Sequence, residues 1–379
     1  MTFWKKKVRD HTSSPREIHT SPPSPARPRH VLVWIDASYA DHPARIIRGL
    51  ALAEAFKQAS ILQVTLACLP TRHLPAETEK RNLHWLNTRP GGAPLLFHEI
   101  LKTTQADLVI ADCLTPPRFQ PAPPLVLFAL VSDLFSDSLL ASPMVDSLLI
   151  PGLACPPDFS SLSLLPSRLA DCFHGPRYIP LLAIPDEAGN TNPAPASTED
   201  KTVLIAISGN ENPEILHGLL ERIRESWKGR IQILADIPPS AGERLKEALG
   251  GENTVLHDPP LPDRWKAIGA AQTIVAFPGL QVYEFLGCGK PVILLPRSDP
   301  EERIGRLLEA RGAVRVIPVG ASINMEKLKE SFNELNQNET LRSFLQQKAK
   351  EIVEDGGARN AVDLWLRRYR RRVENGKNT

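Results

Sequence analysis

The segment FPGLQVYEFLGCGKPVILLPRSDPEERIGRLLEARGAV, Phe277 to Val314, decides how this chain folds. It enters from an apolar run, Thr273–Phe277, that Pro278-Gly279 terminates. A helix carrying Tyr283 and Glu284 follows, and Gly287 and Gly289 close it. Lys290-Pro291 leads into a second apolar run, Val292–Leu295. Neither run alternates polar with apolar residues, so both strands expect burial on two faces, as in a parallel sheet. A turn that opens a helix at the C-terminal edge of such a strand offers backbone N–H groups suited to a phosphate. A carboxylate one turn further in can hold ribose hydroxyls.

Working outward, the same strand–turn–helix unit opens each half of the chain. VLVWI (Val31–Ile35) meets DASYADHP and then RIIRGLALAEAFKQ, while TVLIAI (Thr202–Ile207) meets SGNENP and then EILHGLLERIRES. In the latter helix Ile215, Leu216, Leu219, Leu220 and Ile223 share one face. Pro43 and Pro213 fall where a first helical turn tolerates proline. Further apolar runs alternate with helical stretches: LQVTLAC, DLVIAD, PLVLFALV, DSLLI, RIQILAD, TIVAF, PVILLP and AVRVIP. The pattern predicts an α/β protein with two Rossmann-like domains, each built on a parallel sheet, facing a cleft between C-terminal strand edges.

The chain has 379 residues, of which 36 are Pro. Much of that excess falls in a basic, Pro-rich tail at 1–30, a linker at 185–200 and the corner Pro116–Pro124. This gives an N-terminal domain over 31–184, a C-terminal domain over 201–366 and a basic tail at 367–379. A formal charge of +2 gives no global basic field and argues against nucleic acid as partner. The five cysteines, Cys68, Cys113, Cys155, Cys172 and Cys288, form no C-x-x-C pair, which speaks against a disulfide framework or a metal site and for a reducing, cytoplasmic setting. No cofactor is implied. The N-terminal MTFWKKKVRD has no apolar stretch behind it, so it reads as no secretory signal. The most apolar run, Leu125–Val131, is far short of the ~20 residues that span a bilayer.

Several of these segments, in this order, resemble the GT-B nucleotide-sugar enzymes. The likeness is to the PseG/SpsG-type UDP-sugar hydrolases of pseudaminic-acid biosynthesis, themselves similar to MurG-like glycosyltransferases. In the second half Gly279, Tyr283, Glu284, Gly289, Pro291, Leu308 and Gly312 match that family's pattern, Ser208-Gly209-Asn210 matches its Gly-rich opening in part, and Asp355, Gly356, Ala358 and Arg359 resemble its closing motif. In the first half Asp36-Ala37-Ser38, Arg48, Leu50, Ala51, Leu52 and Ala53 match, and the segments ending at Asp112 and spanning His174–Leu182 look similar. The resemblance covers most of residues 31–365. It implies a glycosyltransferase or UDP-sugar hydrolase that cleaves an anomeric C–O bond in bacterial surface-glycan biosynthesis, with a UDP-linked sugar as partner.

The sequence departs from that pattern where chemistry is expected. The family's Gly-His pair is Ala44-Arg45 here, and an arginine cannot act as a base. Its Gly-Gly-x-Thr is Pro278-Gly279-Leu280-Gln281, and its Asn-Gln pair aligns with Pro300-Glu301. Asp36 and His42 are the candidate catalytic residues. Arg45, Gly209, Asn210, Gly279, Gln281, Tyr283 and Glu284 are the candidate substrate contacts, with Glu284 on the ribose, Gly209 and Gly279 at the diphosphate and Arg45 offsetting its charge. Three readings remain open: His42 as base, transfer to an acceptor other than water, and a non-catalytic protein that binds a sugar nucleotide or a partner. The terminal WLRRYRRRVENGK either contacts an anionic membrane or acidic partner or is a solvated helix end.

Overall fold

The computed structural model describes residues 27–35, 43–68, 74–87, 93–113, 127–131, 145–152, 171–185, 188, 202–208, 213–227, 229–236, 254–257, 259–318, 324–353 and 356–376. Seven strands make the first sheet: β1 (His30–Ile35), β2 (Gln63–Cys68), β3 (His84–Asn87), β4 (Leu108–Asp112), β5 (Leu127–Val131), β6 (Ser147–Pro151) and β7 (Asp171–Gly175). Their order is β3-β2-β1-β4-β5-β6-β7 and every pairing is parallel. Six strands make the second: β8 (Thr202–Ser208), β9 (Arg230–Asp236), β10 (Thr254–His257), β11 (Ala271–Ala276), β12 (Val292–Leu294) and β13 (Val314–Val316). Their order is β10-β9-β8-β11-β12-β13, again all parallel.

Among the described residues the α-helices are α1 (Pro43–Gln58), α2 (Leu74–Lys80), α3 (Ala93–Thr104), α4 (Pro213–Ser226), α5 (Leu261–Ala270), α6 (Gln281–Gly287), α7 (Asp299–Ala310), α8 (Met325–Gln337), α9 (Glu339–Ile352) and α10 (Gly357–Gly376). They cover sheets whose central strands are apolar on both faces. In β1, Val31, Val33 and Ile35 join the core that holds Ile46, Ile47 and Leu50 of α1. Leu32 and Trp34 join Phe97 of α3 on the other side, where the Trp34 and Phe97 rings stand 4.7 Å apart. The strands expected from apolar runs all form, with ends shifted by one to three residues. Three strands were not expected: β3, β7 and β10. Each is an edge strand, short and half covered, so none carries the long apolar run that betrays a central strand.

In both sheets the strand order reverses about the first strand: β1 lies between β2 and β4, and β8 between β9 and β11. These are the switch points beyond whose C-terminal ends open α/β sheets take ligands. The two domains share one apolar core. It runs from α1 through Ile179 and Leu182 of the crossing segment to Val282, Phe285 and Leu286 of α6 and Trp365 of α10. The chain crosses twice, since α10 returns from the second domain to pack along α1, with Phe56 stacked on Trp365 at 6.2 Å. The crossings meet where Asn360 Nδ2 donates to the Arg177 carbonyl at 2.9 Å. Gly357 is needed there, because a Cβ on it would lie 2.1 Å from the Ile179 carbonyl oxygen. Residue 366 lies inside α10, the helix that packs along α1.

Candidate functional site

Two corners at the C-terminal strand edges carry the expected site residues. In the first domain, β4 ends at Asp112, 1% exposed, beside the opening turns of α1. Arg45 donates from one terminal nitrogen to Asp112 Oδ1 at 2.8 Å. Arg48 donates through Nε to Oδ2 at 2.7 Å and through a terminal nitrogen to Oδ1 at 2.5 Å, a bidentate clamp. Both guanidiniums are buried. Arg45, expected to face a diphosphate, thus has one guanidinium nitrogen, Nη1, on a buried carboxylate of its own domain. Asp36 and His42, the candidate bases, and Gly209 and Asn210 lie outside the described residues.

In the second domain the strand–turn–helix expected from Thr273–Gly289 forms as β11, a turn at 277–280 and α6. This corner brings Gly279, Gln281, Tyr283 and Glu284 together. Gly279 is exposed, and a Cβ placed on it would meet open space. Gln281 is 1% exposed, yet neither its Oε1 nor its Nε2 has a hydrogen-bond partner. Tyr283 reaches the first domain: Gly152, at the end of β6 with φ of 96°, has room for no side chain because a Cβ would lie 2.4 Å from the Tyr283 hydroxyl. Glu284 is buried and accepts from Arg264 Nε of α5 at 2.8 Å. Lys290 donates to the Gly269 carbonyl at 2.6 Å, and burial pulls its ammonium pKa down to about 8. Burial pushes the Cys288 thiol up to about 12, with the Glu284 charge adding to the effect, so this cysteine packs rather than reacts.

Glu301, which aligns with the resembled family's Asn-Gln pair, is engaged by Arg297. It accepts the Arg297 backbone N–H at 2.8 Å and the Arg297 guanidinium at 2.6 Å. Arg297 also stands 5.0 Å over the Phe277 ring, at the edge of the same corner. Sequence reading missed Arg264. Its signal was present: Leu261, Arg264, Trp265 and Ile268 share one face of α5, and an arginine on an apolar face demands a buried carboxylate. Among the described residues no group of three His, Cys, Asp or Glu side chains can hold a metal ion.

No protein-family model matches the chain, and comparison with curated proteins finds no match. Solved structures do match its fold. MurG of Acinetobacter baumannii is 16% identical with a TM-score of 0.54, over 90% of this chain and 100% of that one. The spinosyn rhamnosyltransferase SpnG is 16% identical with a TM-score of 0.59, over 89% and 99%; it is also known complexed with thymidine diphosphate. UDP-GlcNAc 2-epimerase of Neisseria meningitidis, bound to UDP-GlcNAc, is 12% identical with a TM-score of 0.56, over 89% and 99%. The chain therefore has the GT-B architecture of nucleotide-sugar glycosyltransferases and epimerases.

Proposed function

We propose that the chain binds a nucleotide-activated sugar, UDP-linked by preference, and cleaves its anomeric C–O bond in glycosyl transfer or hydrolysis. The observation that carries this reading is the Gln281 amide. A buried donor–acceptor pair left without protein partners costs ~1–3 kcal/mol per group, so it calls for a partner from outside the chain. A uracil or thymine presents the matching edge: its imide N–H meets the amide oxygen, and its carbonyl accepts from the amide nitrogen. Gly279 beside it leaves the backbone open to a diphosphate. Glu284 is then the carboxylate nearest the ribose, and Arg45 the cation across the cleft. Asp36 or His42 would take the proton of the attacking hydroxyl or water.

A second reading has its own observation. The groups expected on ribose and diphosphate, Glu284 and Arg45, each already hold an ion-pair partner within their own domain. That favours a sugar-nucleotide-binding protein without transfer. One experiment addresses both. UDP, TDP and CDP are titrated by calorimetry, and UDP-sugars are then followed by NMR for released sugar or UDP. The proposal expects UDP and TDP to bind, and Gln281→Leu to weaken both without lowering the unfolding midpoint. Binding without release supports the second reading. Undiminished affinity for UDP in Gln281→Leu refutes the role of Gln281.

A further inference from the structure

The two crossings between the domains border a cavity of about 340 Å³, within the roughly 300–1,000 Å³ of small-molecule sites. Three parts of the chain line it. From α1 come Ala51, Glu54, Ala55 and Gln58, whose spacing of three and four residues puts them on one face. The first crossing supplies residues 179 and 181–184, which belong to no helix or strand. The second supplies Val353 and residues 356–359, the last of them the opening of α10. None of the candidate substrate contacts is among these residues, so the cavity stands apart from the nucleotide reading.

Most of the lining is apolar, and its polar groups fall in two places. On α1, Glu54 gives one oxygen, Oε2, to Arg81 Nε at 3.1 Å, and its Oε1 meets no donor among the described residues. Gln58, one turn further, is exposed and makes no side-chain hydrogen bond among them. At the opening of α10, Arg359 is exposed and has no ion pair among the described residues. Gly357 and Ala358 are buried, yet their N–H groups meet no acceptor among those residues; Asn360 is the first of the helix to donate, to the Gly356 carbonyl at 2.8 Å. A buried helix end calls for an acceptor. One wall thus offers a carboxylate and an amide, the other a guanidinium and backbone donors. Flanking charges are of both signs, Lys57, Arg177 and Lys350 against Glu351 and Asp363, while Asp186, Glu187, Glu354 and Asp355 lie outside the described residues.

We propose that this cavity binds a small zwitterion with an apolar body, of the class of an apolar α-amino acid. Its carboxylate meets Arg359 and the first N–H groups of α10, its ammonium meets Glu54 and the Gln58 side-chain carbonyl, and its side chain lies against Ala51, Ala55 and Leu182. A simple anion would leave Glu54 unmatched, and a simple cation would leave Arg359 unmatched. The place of the cavity gives an occupant reach into both domains. Gly287, the last residue of α6, packs directly on the lining: a Cβ there would lie 2.6 Å from Ile184 Cδ1, 3.5 Å from Val353 Cγ1 and 3.6 Å from Leu181 Cδ1. An occupant therefore touches α1 and both crossings, one side chain away from the helix that carries Gln281 and Glu284.

The test is calorimetric titration of the full chain with leucine and with two analogues that each lack one charged group, isocaproate and isoamylamine. Leucine is expected to bind about tenfold or more tightly than either, because each analogue forfeits the charge-assisted hydrogen bonds at one end. Arg359→Gln should weaken leucine about tenfold and leave isoamylamine unchanged. Ala183→Trp, at an exposed lining position, should abolish binding by filling the space. Both variants should keep the parent unfolding midpoint. Absence of leucine binding, equal binding of the three compounds, or undiminished leucine binding by either variant overturns the proposal.

Discussion

The contact between Gly152 and Tyr283 joins the two domains, and its strength can be worked out and measured. Alanine at 152 meets two penalties. The backbone there has φ of 96°, a region where a side chain costs ~1–2 kcal/mol. The new methyl would also lie 2.4 Å from the Tyr283 hydroxyl and 2.9 Å from its Cζ, an overpacking cost of ~1–3 kcal/mol. Gly152→Ala should therefore destabilise the protein by ~2–5 kcal/mol. In a Tyr283→Leu background the hydroxyl and outer ring are gone, and only the backbone cost of ~1–2 kcal/mol should remain. Urea unfolding of the parent, both single variants and the double variant gives the coupling directly, expected at ~1–3 kcal/mol. The reasoning fails if Gly152→Ala costs less than ~1 kcal/mol, or costs the same with and without the tyrosine ring.

Other expectations follow from neighbouring features. Gly357→Ala drives a methyl against the backbone of Ile179 rather than a pliable side chain, so its cost should exceed ~3 kcal/mol and show as a lowered urea midpoint. Arg264→Met alone should destabilise by ~3–5 kcal/mol, since it strands the Glu284 carboxylate in the core, whereas Arg264→Met with Glu284→Leu should recover most of that loss. His30 links three strands: its Nδ1 meets the Thr104 carbonyl at 2.6 Å, its Nε2 meets Thr65 Oγ1 at 2.8 Å, and His84 Nδ1 lies 3.1 Å from the same hydroxyl. Burial lowers its pKa from 6.5, so the unfolded chain binds a proton that the folded one refuses. His30 therefore holds its full contribution above pH 6.5 and loses it as pH falls from there toward the folded value. The parent's urea midpoint should decline over that window more steeply than that of His30→Gln.

Much of the fold was legible because central strands of parallel sheets have no solvent face. Val31–Ile35 and Leu108–Asp112 could only be strands buried on both sides, and their order fixed the two-domain architecture. HWLN, DCFHG and TVLH gave no such signal, since an edge strand of four or five residues needs little apolar content. At the site, the turn at Gly279 and the helix bearing Glu284 were readable from proline, glycine and periodicity. The partners were harder. Arg48 and Asp112 lie 64 residues apart, and only the adjacency of β1 and β4 makes them meet. Gly152 and Tyr283 belong to different domains, so their contact depends on a packing angle that no local pattern encodes. Arg264 was readable and overlooked, an arginine placed in phase with Leu261, Trp265 and Ile268.

The return of α10 has a consequence for how the molecule is made. The first sheet and α1 emerge before the second domain, but Ala361, Val362, Trp365 and Tyr369, which complete the core around α1, are translated only after it. Domains usually fold in the order in which they are synthesised. Here the apolar flank of α1, including Phe56, must wait through the synthesis of the entire second domain before Trp365 arrives to cover it. Removing α10 would thus injure the first domain, and a nascent first domain should expose a sticky helix face until α10 has been made.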